Sequence, residues 1–183
     1  MIIPRYHVIP ATYPVGTTDI YPGYTVKVNS SGLIVPNTNA DTARPLGLAA
    51  DKQASVGTFD PRTSFSNRVS DYGDETSASG QIGVYESGGQ FYVDVDESGT
   101  YGVITTGSTT TPGTLLYQST TTGQLSSTAR TTPYAADEDL PTAIVVDDLS
   151  ATSGLLPTGI PNEYEPAGDS DTPRTFVLIK LLV

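Results

Sequence analysis

Short runs of alternating apolar and polar residues, separated by turn residues, recur along this chain and constrain its fold more than any other feature. The clearest example pairs residues 82–86 with residues 90–95 across the step Ser87-Gly88-Gly89. A period of two indicates a β-strand with one buried face, and a Gly-Gly step between two such runs is typical of a hairpin. In the returning strand the pattern predicts one face of Phe91, Val93 and Val95 and an opposite face of Tyr92, Asp94 and Asp96.

Other short runs extend this pattern to the rest of the chain. Further strands are predicted at residues 24–28, 33–35, 45–50, 101–105, 115–117, 143–146 and 175–183. Good helix formers are scarce, whereas 18 glycines and 14 prolines among 183 residues favour tight turns. The sequence therefore predicts an all-β protein of one or two small β-barrel or β-sandwich units, with an extended N-terminal arm and long loops. The last strand is apolar on both faces, so it is either central in a sheet or covered by a partner.

Proline spacing and polarity divide the chain into an arm and a body. Pro4, Pro10 and Pro14 block a helix at the N-terminal end and favour an extended conformation. The predicted organisation is an arm at residues 1–20 and a β-rich body at 21–183, the body having a long polar loop at 58–80 and two related β units at about 21–57 with 82–105 and at 111–183.

One stretch of the body repeats. Residues 22–34 read PGYTVKVNSSGLI, and residues 112–125 read PGTLLYQSTTTGQL. Each is followed by a loop and a related stretch, RPLGLAADKQA from Arg44 and LPTAIVVDDLSA from Leu140. The shared order is Pro-Gly, strand, glycine turn, strand, loop, proline and strand. Two explanations stay open: a duplicated unit, or the general likeness of β-hairpins in threonine-rich chains.

The charge of the chain restricts its partners. The formal net charge is −11, whereas nucleic acids and anionic lipids bind basic surfaces, so neither is an expected partner. The charge is consistent with a soluble surface or with attraction to a basic partner. No cysteine is present to form a disulfide, and the chain has no apolar run typical of a leader or a membrane span. Synthesis in the cytoplasm is expected.

The side chains of enzyme and metal sites are scarce. His7 is the single histidine and falls in the arm, a poor scaffold for a Ser-His-Asp triad. Residues 94–99 (DVDESG) imitate the start of a calcium loop, but Thr105 stands where the closing glutamate belongs, so calcium binding stays open. Solvated turns are predicted for the carboxylate groups Asp94/Asp96, Asp137/Glu138/Asp139, Asp147/Asp148 and Asp169/Asp171. The sequence therefore predicts no catalytic residue, no metal and no cofactor, in a protein that is not an enzyme.

The repeated hairpins carry a resemblance to a known class of protein. Residues 21–35 (YPGYTVKVNSSGLIV) and residues 45–49 (PLGLA) resemble head decoration proteins of tailed bacteriophages, also called capsid cement or stabilising proteins. The likeness covers most of the chain as a rhythm of turns and strands, without a motif that transfers residue by residue. It implies a structural virion protein on the capsid exterior, made in the host cytoplasm. The implied partners are the major capsid protein and other copies of the chain, as a homotrimer bridging capsomers.

This interpretation selects candidate contact residues. The expected contacts with the capsid or a neighbouring subunit are Ile2, Ile3, Arg5 and Tyr6 in the arm, Arg62 and Arg68 in the polar loop, and Phe176, Leu178 and Leu182 near the C-terminal end. An alternative is a carbohydrate- or receptor-binding β module of a phage tail or fibre, because the 11 tyrosines could form stacking surfaces. A small hydrolase is the third hypothesis.

Overall fold

The strands found in the structure agree with the predicted fold class. A computed structural model describes residues 2–6, 8–16, 18–50, 81–95, 102–130, 140–148 and 176–183. Within these ranges the chain forms strands and no helix. The strands are β1 (Ile2–Pro4), β2 (Ala11–Pro14), β3 (Thr25–Val28), β4 (Ile34–Pro36), β5 (Gly47–Ala49), β6 (Gln81–Tyr85), β7 (Gln90–Asp94), β8 (Leu115–Gln118), β9 (Leu125–Ser126), β10 (Ala143–Asp148) and β11 (Phe176–Leu181). The prediction of an all-β protein is confirmed.

The strands form two antiparallel sheets that share one strand order. The five-stranded sheet has the order β2-β6-β5-β3-β4, and the six-stranded sheet has the order β1-β7-β11-β10-β8-β9. When β2–β6 and β7–β11 are each counted from one to five, both sets follow the order 1-5-4-2-3. The structure is therefore a tandem repeat of a five-stranded arrangement, with β1 added at the β7 edge of the second copy. We call the two copies the first repeat (β2–β6) and the second repeat (β7–β11).

Backbone hydrogen bonds establish which residues of the two repeats are equivalent. The Gly23 amide donates to the Ala49 carbonyl at 2.7 Å, and the Gly113 amide donates to the Val145 carbonyl at 2.8 Å. The turn glycines match in backbone conformation: φ is 91° at Gly23 and 90° at Gly113, then 77° at Gly32 and 78° at Gly123. The stretches at 22–34 and 112–125 therefore have the same local structure as well as similar sequences.

The boundary between the repeats falls in the turn between β6 and β7. The sequence predicted that residues 82–105 belong with the first unit, at about 21–57, and that residues 82–95 form one hairpin. In the structure β6 pairs with β5 in one sheet, whereas β7 pairs with β11 in the other. The chain thus passes from the first sheet to the second at this turn, and β7 is the first strand of the second repeat.

Isolated bridges curl each sheet. In the first repeat Val15, just after β2, forms a parallel bridge with Ile34 of β4, which joins the two opposite edges of that sheet. In the second repeat Ile104 lies between Val95 and Leu125 and forms a parallel bridge with each. The predicted strand at 101–105 is wrong in its described part, because only Ile104 forms bridges there.

Each curled sheet has an apolar core. The first core is formed by Val15, Ile20, Val26, Ile34, Ala49, Ile82 and Val84. The second core is formed by Leu48, Tyr85, Phe91, Val93, Val103, Ile104, Leu116, Leu125, Ala143, Val145, Val177, Ile179 and Leu181. Leu48 and Tyr85 belong to strands of the first sheet, so the second core also packs against the first repeat. β11 lies between β7 and β10, which explains why its sequence is apolar on both faces.

Candidate functional site

The N-terminal arm connects the two sheets. β1 pairs with β7, Ile2 facing Val93, whereas β2 pairs with β6, Ala11 facing Val84. The chain therefore crosses from the second sheet to the first between β1 and β2, and we call the described residues 5, 6 and 8–10 of this connection the crossing segment. Because the strands on both sides of it are hydrogen-bonded into sheets, this segment is anchored at each end.

The crossing segment carries two strongly exposed apolar side chains. Ile9 is 79% exposed and Tyr6 is 61% exposed, the two highest values among the large hydrophobic residues that the structure describes. Val8, between them and partly buried, packs against the second core. Two strongly exposed apolar side chains on one short segment make it a candidate interaction surface, whereas singly scattered ones need no such explanation.

Arg5 is held beside Tyr6. The Arg5 amide donates to the Gln90 carbonyl at 2.8 Å, and its guanidinium Nη1 donates to Gln90 Oε1 at 3.0 Å. The guanidinium carbon lies 5.3 Å from the centre of the Tyr6 ring, within the range of a cation–π contact. One end of β7 thus positions a cation and an aromatic ring together. A partner would meet a preorganised surface and lose little conformational entropy in ordering it.

The structure brings some of the predicted contact residues together at this surface. Arg5 and Tyr6 are exposed on the crossing segment, whereas Ile2 is half-buried in β1 and packs against the second core. Ile3 faces Tyr92 in the register of β1 with β7. Sequence reasoning missed Ile9. No local pattern indicated it, because the position of this segment depends on the pairing of β1 and β2 with strands that are distant in the chain.

The remaining predicted contacts lie elsewhere. Phe176 and Leu178 are buried in β11, 8% and 3% exposed, so neither side chain can reach a partner in this conformation. Leu182 follows β11 and is 44% exposed. Arg62 and Arg68, together with the whole polar loop at 58–80, lie outside the described residues.

The described carboxylates include one that is structural. Asp94 is 0% exposed within β7, and its Oδ1 accepts a hydrogen bond from the Val103 amide at 3.2 Å. The prediction of a solvated turn residue is therefore wrong for Asp94, which fixes the segment that contains Ile104. Asp147 and Asp148 also lie in a strand, β10, where Asp148 Oδ2 accepts from the Thr110 hydroxyl at 3.0 Å. The structure does not describe His7, Asp96 or the two remaining predicted carboxylate groups, Asp137/Glu138/Asp139 and Asp169/Asp171.

The described part of the chain offers no metal cluster. No group of three or more histidine, cysteine, aspartate or glutamate side chains within it is arranged to hold an ion. In the same residues no helix has the length and hydropathy required to cross a bilayer. The described residues of the crossing segment offer apolar surface, a cation and an aromatic ring to a partner.

Comparison with known proteins gives no relative from which a function could be transferred. No family model, no curated protein and no solved structure matches the chain.

Proposed function

We propose that this protein is a structural virion protein that binds the outside of a tailed-bacteriophage capsid and stabilises the shell as a cement. The observation that carries the proposal is the anchored crossing segment with Ile9 and Tyr6 exposed upon it. The resemblance of the hairpins to head decoration proteins supports the choice of capsid as partner. On the same resemblance, three copies associate and bridge neighbouring capsomers, each contributing one crossing segment to a contact.

Such a contact stabilises a shell by mass action. A protein that binds the assembled shell and not its separated subunits lowers the free energy of the assembled state. Complete burial of one large aliphatic side chain contributes about 1.5–3 kcal/mol. Ile9 is 79% exposed in the free chain, so most of its surface is available for burial on binding. Many copies on one shell would add such contributions together.

The net charge supports an exterior position. At −11 the chain is repelled by packaged nucleic acid, which is itself a dense polyanion. Electrostatics therefore favours the outer surface over the lumen. An acidic surface also keeps unbound copies soluble until they meet a shell.

The decisive experiment measures binding to capsids of the encoding phage that were prepared without this protein. Ile9→Asp and Tyr6→Ala should each weaken co-sedimentation with these shells, Ile9→Asp by tenfold or more, since about 1.4 kcal/mol corresponds to a factor of ten. Val28→Asp is the matched control, because Val28 is also exposed (44%) but lies away from the segment, at the end of β3. The proposal is contradicted if the Ile9→Asp and Tyr6→Ala variants each bind the shells as tightly as the wild type does.

Tyr6 favours a second candidate, a carbohydrate- or receptor-binding module. An exposed tyrosine ring beside a guanidinium is a surface on which a sugar ring can stack and form hydrogen bonds. Under this alternative Tyr6→Ala abolishes binding to an immobilised host glycan, whereas Ile9→Asp has a smaller effect. Which of the two variants loses more binding therefore distinguishes a capsid-binding protein from a carbohydrate- or receptor-binding module.

A further inference from the structure

A small cleft lies where the two repeats meet near the C-terminal end. Its volume is about 230 Å³, and it is lined by Arg44, Pro45, Leu140, Pro141, Leu182 and Val183. Pockets for drug-sized ligands usually have about 300–1,000 Å³. The cleft is thus of a size for one or two side chains, not for a large cofactor.

Equivalent residues of the two repeats line the cleft. The Leu46 amide donates to the Val26 carbonyl at 2.7 Å, and the Thr142 amide donates to the Leu116 carbonyl at 2.8 Å. These matching bonds make the preceding dipeptides, Arg44-Pro45 and Leu140-Pro141, structurally equivalent. The repeats differ at the first position of the dipeptide, so the first repeat contributes a guanidinium to the lining and the second an aliphatic side chain.

The cleft is held open by a rigid frame. Two prolines restrict the backbone of the lining, and each is followed directly by a residue whose amide donates one of the backbone hydrogen bonds just described. The Leu182 amide donates to the Thr142 carbonyl at 2.9 Å, which fixes the third side. A cleft fixed in this way requires little reorganisation when it binds a ligand.

The side chains at the cleft include one cation and several apolar groups. Arg44 is exposed and forms no ion pair with any residue that the structure describes. Leu182, at the same cleft, is 44% exposed. A guanidinium that forms no ion pair with the described residues and lies beside apolar surface is complementary to an incoming carboxylate.

We propose that the cleft binds an aliphatic side chain of a partner protein, with a carboxylate next to that side chain pairing with Arg44. The aliphatic group contacts the two prolines, Leu140 and Leu182. This site is separate from the crossing segment, and its existence does not depend on capsid binding.

The test uses three blocked dipeptides and the full chain labelled with ¹⁵N. The peptides are acetyl-Leu-Asp-amide, its neutral counterpart acetyl-Leu-Asn-amide, and acetyl-Gly-Asp-amide, which lacks the aliphatic group. The backbone amides of Leu46, Thr142 and Leu182 report binding, because their hydrogen bonds frame the cleft. The Leu-Asp peptide should shift these three resonances, the Leu-Asn peptide should bind roughly 1.4- to 5-fold more weakly, as expected for an exposed ion pair, and the Gly-Asp peptide should not shift them.

Two variants at exposed positions separate the two parts of the recognition. Arg44→Gln should remove the difference between the Leu-Asp and Leu-Asn peptides, as should 1 M salt, where the screening length is about 3 Å. Leu182→Ser should weaken both leucine peptides equally. The proposal is overturned if no peptide shifts the three amides, or if the glycine peptide binds as tightly as its leucine counterpart. Capsid binding by the Ile9 variant is a separate measurement, so either proposal can fail alone.

Discussion

At the scale of single residues, the repeats provide natural comparisons between equivalent positions. Gly32 and Gly123 occupy the same turn of the two repeats with φ of +77° and +78°. A Cβ added at Gly32 has no atom within 4 Å, whereas one at Gly123 would overlap the Tyr24 ring and lie 3.0 Å from the Tyr24 Cβ. The two turn glycines therefore have the same backbone conformation but different tertiary surroundings. The residue preferences of turns could not predict this difference.

We expect Gly123→Ala to reduce the free energy of unfolding more than Gly32→Ala. Both variants place alanine in the left-handed region, at about 1–2 kcal/mol. Only Gly123→Ala also overpacks against a ring, which adds about 1–3 kcal/mol. Urea denaturation of the two proteins, followed by tyrosine fluorescence, measures the difference. Equal losses would mean that Tyr24 moves aside without cost.

At the scale of elements, local sequence predicted strands and could not predict their partners. The hairpin-like pattern at 82–95 correctly indicated two strands, yet β6 and β7 belong to different sheets. Pairing of β6 with β2 and of β7 with β11 depends on residues that are distant in the chain. β1 and β2 were expected to form an arm because of Pro4, Pro10 and Pro14, but proline is tolerated in edge and terminal strands. The exposure of Ile9 follows from this long-range pairing, so the local sequence could not predict it.

An ion pair joins β3 to the loop between β4 and β5. Lys27 of β3 forms a salt bridge with Asp41, and Asp41 Oδ2 accepts a hydrogen bond from the Thr38 amide at 2.8 Å. Partial burial raises the pKa of Asp41, but the bonds from Lys27 and Thr38 together outweigh it, so that pKa lies below its ordinary value of 3.8. A carboxyl group with a lowered folded-state pKa stabilises the fold above its unfolded pKa and loses that contribution as the pH falls.

We expect Asp41→Asn to be less stable than the wild type at pH 7, by up to about 1 kcal/mol for a partly exposed pair. The difference should persist down to about pH 4 and shrink below the ordinary pKa of 3.8, as the pH falls through the lower folded-state pKa. Thermal unfolding of both proteins from pH 2.5 to 7 gives this difference directly. Asp147→Asn, an exposed change of the same charge on β10, is the control. A difference for Asp41→Asn that is constant across this range would contradict the argument.

At the scale of the whole molecule, buried polar groups join the two repeats. Gln118 of β8 is 1% exposed, and its Nε2 donates to the Thr25 hydroxyl and, at 3.3 Å, to the Asn37 carbonyl. The backbones are joined as well: the Asn39 amide donates to the Ser119 carbonyl at 2.9 Å. Since these partners belong to β3, β8 and the segments that follow β4 and β8, the repeats are held together by directed hydrogen bonds in addition to apolar packing.

Two buried glutamines, Gln118 and Gln124, allow a loss of coupling between the repeats to be distinguished from a general loss of stability. Gln124 is also 1% exposed, but its Nε2 donates to the Gly102 carbonyl at 2.9 Å within the second repeat. Loss of either side chain leaves buried partners without their bond, at a cost of about 1–3 kcal/mol. Gln118→Ala and Gln124→Ala should therefore lower the free energy of unfolding by similar amounts.

Gln118→Ala should also make the two sheets open more independently, because the bonds that it loses join the two repeats. Native-state hydrogen exchange resolves this, since cooperative units open with their own free energies. In Gln118→Ala, the amides of β3 and β5 should exchange faster relative to those of β10 and β11, whereas in Gln124→Ala the second sheet should lose protection at least as much as the first. If protection in Gln118→Ala falls uniformly across both sheets, the repeats form one cooperative unit through their shared apolar core, and the contacts of Leu48 and Tyr85 couple them more strongly than the polar bonds do.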